Sequence, residues 1–347
     1  MKHVFVVHSN ITYLSALGVM AAEGLSVDDC ILVSEGVFMR SDPVPMVAIP
    51  YMRGLKACGF NPLIYLTPYK YVDQKIAELT AGEPFTAYVA TLGKLARYTI
   101  THPLCAQFHF VEEGLLSYVT LIKLDILTLH NSDSQFRPRG LISRLKDIKW
   151  ALVRAYSPRI SALPLFYNAY AAPDRRFYGY TAQSHTLIDP ACRRLISMEQ
   201  ITARFHFDHT LDLDNSVIWI GDCVDGIGHT AAQYISAIER GLVDQVLSAE
   251  KISHIFVKFH YREDAASRAA TLDVFARHAI AVTIVADSAI MEIELLGTTS
   301  VRLYGTYSSL LVYGVFAGCR AFSVDRFYEP ARTDTRLDCI FDFIERL

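Results

Sequence analysis

The chain has no CxxC pair, no HExxH, no GxGxxG and no P-loop motif anywhere in its 347 residues, and each absence removes a class of chemistry. Cys30, Cys58, Cys105, Cys192, Cys223, Cys319 and Cys339 are scattered and odd in number, so neither a zinc site nor a disulfide framework is suggested and a reducing cytoplasm is the expected compartment. His102, His109, His206, His209 and His254 show no metal-ligand spacing, and no metal or other cofactor is expected. Long hydrophobic runs are missing too. The opening "MKHVFVVHSN" has an apolar stretch too short for a signal peptide and far too short to span a bilayer. Nor is there an excess of positive charge: the net charge of −3 argues against nucleic acid held through overall charge. No internal repeat and no low-complexity segment occurs.

What is present is apolar residue in quantity, 52% against 20% charged, enough for a large core and for two domains. Short apolar runs alternate with longer amphipathic stretches, the grammar of an α/β protein. Strands are expected at Val4–Val7, Cys30–Ser34, Pro62–Leu66 and Gln107–Val111, and helices at Ile11–Glu23, Tyr71–Glu78 and Phe85–Tyr98. The polar, aspartate-rich stretch Arg204–Ser216 reads as a linker, dividing the chain into residues 1–205 and 216–347. The second half repeats the grammar: a strand in "SVIWIGDCVDGIGHT", a helix Ala231–Arg240, then "HIFVKFHYRED", "AVTIVADSAIMEIELL" and "SVRLYGTYSSLLVYGVFAGC". Each apolar run ends in polar residues, and in parallel α/β sheets ligands bind outside the carboxyl ends of the strands.

Candidate site residues follow from that rule. Glu112 and Glu113, followed by Gly114, come directly after an apolar strand; two adjacent like charges there are either a solvated turn or a base held at a strand end. Gly221 and Asp222 end the first strand of the second half. Lys258 and His260 flank Phe259 and share one strand face, so both side chains are expected to reach one ligand. Ser308 and Ser309 follow a strand and Gly305 and open an apolar helix, which gathers hydroxyls and free amides at a helix N-terminus. An ordinary helix cap would look the same.

The order Glu112-Glu113-Gly114, then His260, then Glu292 in "MEIELL", then Ser308-Ser309 resembles the bacterial sialyltransferases of the two-domain GT-B type. Their signatures are an acidic-acidic-glycine motif, a histidine-proline motif and a serine pair. The resemblance spans roughly residues 105–320, and its weight lies in the order of the motifs. One position departs: Tyr261 follows His260, whereas the literal His102-Pro103 pair precedes the acidic motif.

The resemblance implies two Rossmann-like domains facing a central cleft, an acceptor-side N-terminal one and a nucleotide-binding C-terminal one. It implies inverting, metal-independent transfer of sialic acid from CMP-sialic acid to a hydroxyl of a cell-surface glycan, either lipo-oligosaccharide or capsule. Glu112 is then the preferred base, although Glu113 is not separated from it. His260 and the serine-capped helix start would meet charge on the departing phosphate, with Gly221, Asp222, Lys258 and Glu292 around the CMP-sugar; Glu294 is the rival to Glu292. Transfer of CMP-Kdo or another activated sugar, sugar-nucleotide epimerisation, and non-catalytic glycan binding remain open alternatives.

Seven basic residues against Asp147 in the segment 137–159, with Trp150 near its middle, read either as a solvated helix or as a surface for an anionic acceptor or the inner membrane. The expected partners are thus a CMP-sugar donor and a glycan acceptor, with peripheral membrane contact and homodimerisation as further expectations.

Overall fold

The computed structural model describes residues 1–35, 43–49, 67–90, 94–114, 117–118, 174–185, 188–222, 230–328 and 338–347. The expected strand Pro62–Leu66, the basic segment 137–159 and the glycine-bearing loop 223–229 lie outside the described residues. The chain divides into two compact units, Met1–Arg204 and Phe205–Leu347.

Unit 1 is built on β1 (Lys2–Val6), α1 (Asn10–Ala22), β2 (Cys30–Ser34), β3 (Met46–Ala48), α2 (Thr67–Leu79), β4 (Phe85–Val89), α3 (Lys94–Ile100), β5 (Cys105–Val111), β6 (Phe177–Gly179), β7 (Arg193–Leu195) and α4 (Met198–Arg204). The sheet runs β3-β2-β1-β4-β5-β6-β7, every pairing parallel. Strands covered on both faces need no polar alternation, which is why β4 is buried at all five positions. That strand corrects the expected helix Phe85–Tyr98. The stretch divides into β4 and α3, and the residues Phe85–Val89 fill the sheet position between β1 and β5. α1 begins at a capping box in which the Ser9 hydroxyl accepts from the Thr12 N–H and the Thr12 hydroxyl accepts from the Ser9 N–H.

Unit 2 is built on β8 (Val217–Ile220), α5 (Ala231–Ala237), β9 (His254–Lys258), α6 (Ala265–Arg277), β10 (Ala281–Ile284), α7 (Met291–Glu294), β11 (Arg302–Gly305), α8 (Ser309–Phe316), β12 (Arg320–Ser323) and β13 (Glu345–Arg346). α5 passes without a break into a π-helix, Ile238–Leu247, so this helical stretch outruns the expected Ala231–Arg240. The sheet order is β10-β9-β8-β11-β12-β13, again parallel throughout. Its core gathers Trp219, Tyr234, Val257, Phe275, Tyr304 and Tyr328.

The stretch read as a linker has neither helix nor strand beyond Arg204, yet it is held in place. Phe205, Phe207 and Leu213 are buried. The Glu294 carboxylate accepts the Thr210 N–H at 2.8 Å, the Thr210 hydroxyl at 2.8 Å and the Leu211 N–H at 3.1 Å. Composition reads such a segment as solvated because the carboxylate that organises it lies about eighty residues further along the chain.

Candidate functional site

Both sheets reverse their winding direction beside the strand that opens the unit. In unit 1 the strand order leaves β1 for β2 on one side and β4 on the other; in unit 2 it leaves β8 for β9 on one side and β11 on the other. The loops at the carboxyl ends of strands flanking such a reversal diverge and leave room for a ligand. Each sequence-expected residue can be placed against that geometry.

In unit 1, Glu112 and Glu113 follow β5 and face different surroundings. Glu112 is fully buried. Its carboxylate accepts the Tyr118 hydroxyl at 2.9 Å and the Tyr180 N–H at 2.9 Å, and its carbonyl accepts the Ser15 hydroxyl from α1 at 3.0 Å. A side chain on Gly179 would press on the same carboxylate, its Cβ only 3.0 Å from Oε2. Burial, with the Glu112 charge adding to it, pushes the Tyr118 and Tyr180 phenols well above their ordinary range, so both stay neutral. Glu113 is more open, its side chain 18% exposed, and its Oε1 lies 3.0 Å from His8 Nε2. The backbone turns at Gly114, whose φ of 118° suits glycine alone, and the Ser117 hydroxyl accepts the Glu113 N–H at 3.0 Å. The motif is therefore a tight turn that directs one glutamate inward and the next toward a histidine.

In unit 2, Asp222 follows β8 and is buried. Its Oδ2 accepts the Thr306 hydroxyl at 2.5 Å and the Tyr307 N–H at 3.2 Å, tying the ends of β8 and β11 together at the reversal. Gly221 is needed there because a Cβ would come within 2.5 Å of Glu263 Oε2 and 3.1 Å of the His260 backbone nitrogen.

His260 lies just past β9. Its Nδ1 accepts the Arg262 N–H at 3.2 Å, which leaves the ring proton on Nε2, and burial holds its pKa below the ordinary value with Asp222 opposing. It is a neutral donor, suited to an anionic oxygen. Tyr261, where the resembled family has proline, is 71% exposed with its ring 4.6 Å from the imidazole.

The Lys258 ammonium is engaged by backbone carbonyls, donating to those of Ala286, Asp287 and Ala289 at 2.7, 3.3 and 3.0 Å. It clamps the loop leading to α7, and burial lowers its pKa against the pull of Asp287 and Glu292. Glu292, in α7, is half-buried, whereas Glu294 is buried and committed to Thr210 and Leu211. Ser308 is the N-cap of α8, its hydroxyl accepting the Leu310 N–H at 3.3 Å. Ser309 is the first residue of that helix and half-buried. The literal histidine-proline pair is structural: His102 is buried, its Nδ1 accepting the Leu104 N–H at 3.1 Å and its Nε2 3.1 Å from the Asp73 carbonyl.

Two residues were missed. His8 reads as part of a "HSN" turn, although its place after β1 was the available signal. Glu263 lies in the polar "YRED" that follows β9, yet it is buried, its Oε1 has no hydrogen-bond partner, and burial raises its pKa to about 7. Among the described residues no cluster of His, Cys, Asp and Glu is gathered for a metal, and no helix is long and apolar enough to cross a membrane.

Neither a protein-family model nor a curated protein sequence matches the chain. Among solved structures it is similar to the UDP-GlcNAc 2-epimerase from Methanocaldococcus jannaschii, at 10% identity and a TM-score of 0.53, over 100% of this chain and 89% of that one. It is also similar to a glycotransferase of kitacinnamycin, at 8% identity and a TM-score of 0.49, over 100% and 86%. A third is the E. coli heptosyltransferase WaaC, at 13% identity and a TM-score of 0.44, over 93% and 88%. At these identities the likeness is one of fold: two Rossmann-like α/β domains in one chain, the GT-B type.

Proposed function

We propose that the protein is an inverting, metal-independent glycosyltransferase that moves sialic acid from CMP-sialic acid to a glycan hydroxyl. The observation that carries this reading is the position of the motifs: the acidic pair, the histidine and the serine pair each follow the carboxyl end of a parallel strand, β5 in unit 1 and β9 and β11 in unit 2. The likeness in fold to nucleotide-sugar proteins agrees with it.

In this reading the acidic pair serves proton removal from the acceptor hydroxyl. Glu113 is the better placed member, because Glu112 is walled off from any acceptor by Tyr118 and Tyr180. Proton removal raises the nucleophilicity of the acceptor oxygen as it attacks the anomeric carbon. The Nε2–H of His260 and the α8 start at Ser308 and Ser309 offset the charge that grows on the departing CMP phosphate, at no reorganisation cost if they are held beforehand. Asp222 is the acceptor that holds Thr306 and Tyr307, just before the serines. Gly221 admits the close approach of β9, Lys258 fixes the loop before Glu292, and Glu292 accepts from the nucleoside.

The test is incubation with CMP-sialic acid, with and without a lactose-type acceptor, following CMP release. Acceptor-dependent release is expected. A panel with CMP-Kdo and UDP-sugars addresses the second reading, suggested by the likeness to a UDP-GlcNAc epimerase. Consumption of a UDP-sugar but not CMP-sialic acid would replace the donor assignment, and binding without turnover would leave a glycan-binding protein.

A further inference from the structure

His8 stands where the unit 1 sheet reverses direction, directly after β1, and Glu113 reaches it from the end of β5, two strands away. The pair is not an incidental surface contact. The His8 backbone is fixed, its N–H donating to the Thr12 hydroxyl at 3.0 Å within the box that starts α1. The Glu113 backbone is fixed too, by Ser117 on one side and the Gly114 turn on the other.

A carboxylate can only accept, so the Nε2 facing Glu113 at 3.0 Å carries the proton, and in a neutral imidazole Nδ1 is then a bare lone pair. Nδ1 has no partner among the described residues, and the His8 side chain is 38% exposed. A carboxylate orienting an imidazole whose other nitrogen is open is the arrangement that turns histidine into a general base.

We propose that His8, not a glutamate, takes the proton of the acceptor hydroxyl, and that Glu113 acts through it. The proposal rests on the transferase reading above. As the acceptor O–H breaks, its proton goes to His8 Nδ1 and its electron pair forms the bond to the anomeric carbon. The bond from that carbon to the phosphate oxygen breaks, and its electrons leave with CMP. Glu113 stabilises the imidazolium, which later loses its proton to water.

The test is steady-state transfer by His8→Gln, Glu113→Gln and the double variant, with CMP affinity measured by calorimetry. Each single variant is expected to lose about 10²–10⁴-fold in kcat with CMP affinity kept. The double variant should be little worse than His8→Gln, because the two residues act as a unit. Added imidazole should partly restore His8→Ala. Transfer by His8→Gln within about threefold of wild type, or fully additive losses, would overturn the proposal. Failure of the wild type to consume CMP-sialic acid would sink the donor assignment separately. The dyad is then read from the 15N shifts of the His8 ring: a proton on Nε2 in the wild type, with the tautomer preference relaxed in Glu113→Gln, supports it, and a proton on Nδ1 in the wild type overturns it.

Discussion

The Thr306 hydroxyl donates to Asp222 Oδ2 at 2.5 Å, joining the ends of β8 and β11 where the second sheet changes direction. Both groups are buried. Thr306→Val keeps the shape and removes the donor. Unit 2 should lose about 1.5–3 kcal/mol, the usual worth of a hydrogen bond to a charged group, read as a lower urea midpoint at pH 7. An unchanged midpoint would mean that the other groups around the carboxylate, the Tyr307 N–H among them, satisfy it without Thr306.

Glu263 makes a prediction about pH. Burial raises its folded pKa to about 7, with Asp222 adding to the rise and His260 and Arg268 opposing it. An unfolded chain titrates nearer the ordinary value of about 4.3. Between those values the folded protein holds a proton that the unfolded chain has lost, so this group makes stability fall as pH climbs from about 4.3 to about 7. The loss is up to about 4 kcal/mol and levels off above the folded pKa. Glu263→Gln removes it. The variant should gain on the wild type between pH 5 and pH 8 in paired denaturation curves; parallel curves would show that the carboxyl titrates normally.

The serine pair separates by role. Ser308 caps α8, so Ser308→Ala should cost about 0.5–2 kcal/mol of stability. The Ser309 hydroxyl takes no part in that cap. Ser309→Ala should therefore leave the melting temperature within error yet weaken CMP, and the double alanine variant should weaken it further, each lost charge-assisted bond being worth about 1.5–3 kcal/mol. Calorimetry with CMP decides. Unchanged affinity in a folded double variant would make the pair a plain helix cap.

The acidic pair also divides. Glu112→Ala removes the carboxylate that accepts the Tyr118 hydroxyl and the Tyr180 N–H inside the protein, each such loss costing about 1–3 kcal/mol, and should visibly lower the stability of unit 1. Glu112→Gln can accept the Tyr180 N–H with its oxygen while its amide donates to a reversed Tyr118 hydroxyl, so it should fold and retain transfer within about tenfold. A loss of about 10²-fold or more there, with Glu113→Gln active, would return the base to Glu112.

Much of this was legible because parallel α/β units write their strands as apolar runs that end in polar residues. β2 falls at Cys30–Ser34, where its run is bounded by Asp29 and Glu35. β4 was misread since "FTAYVATLGKLARY" satisfies a helical period as well as a buried strand, and only its place between β1 and β5 decides. Glu112 and Glu113 look alike in sequence; their difference comes from Tyr118, Tyr180 and His8, which fold onto them from elsewhere in the chain. The carbonyls that engage Lys258 were not legible, because they are backbone groups, which every sequence contains.

The grip of Glu294 on Thr210 and Leu211 has a practical side for anyone wishing to express the second half by itself. A gene fragment starting near residue 216, at the end of the polar stretch, would discard three donors to a buried carboxylate. One starting at Phe205 carries its own partners along. The stretch whose composition looks most dispensable supplies the partners of a buried carboxylate in the second half.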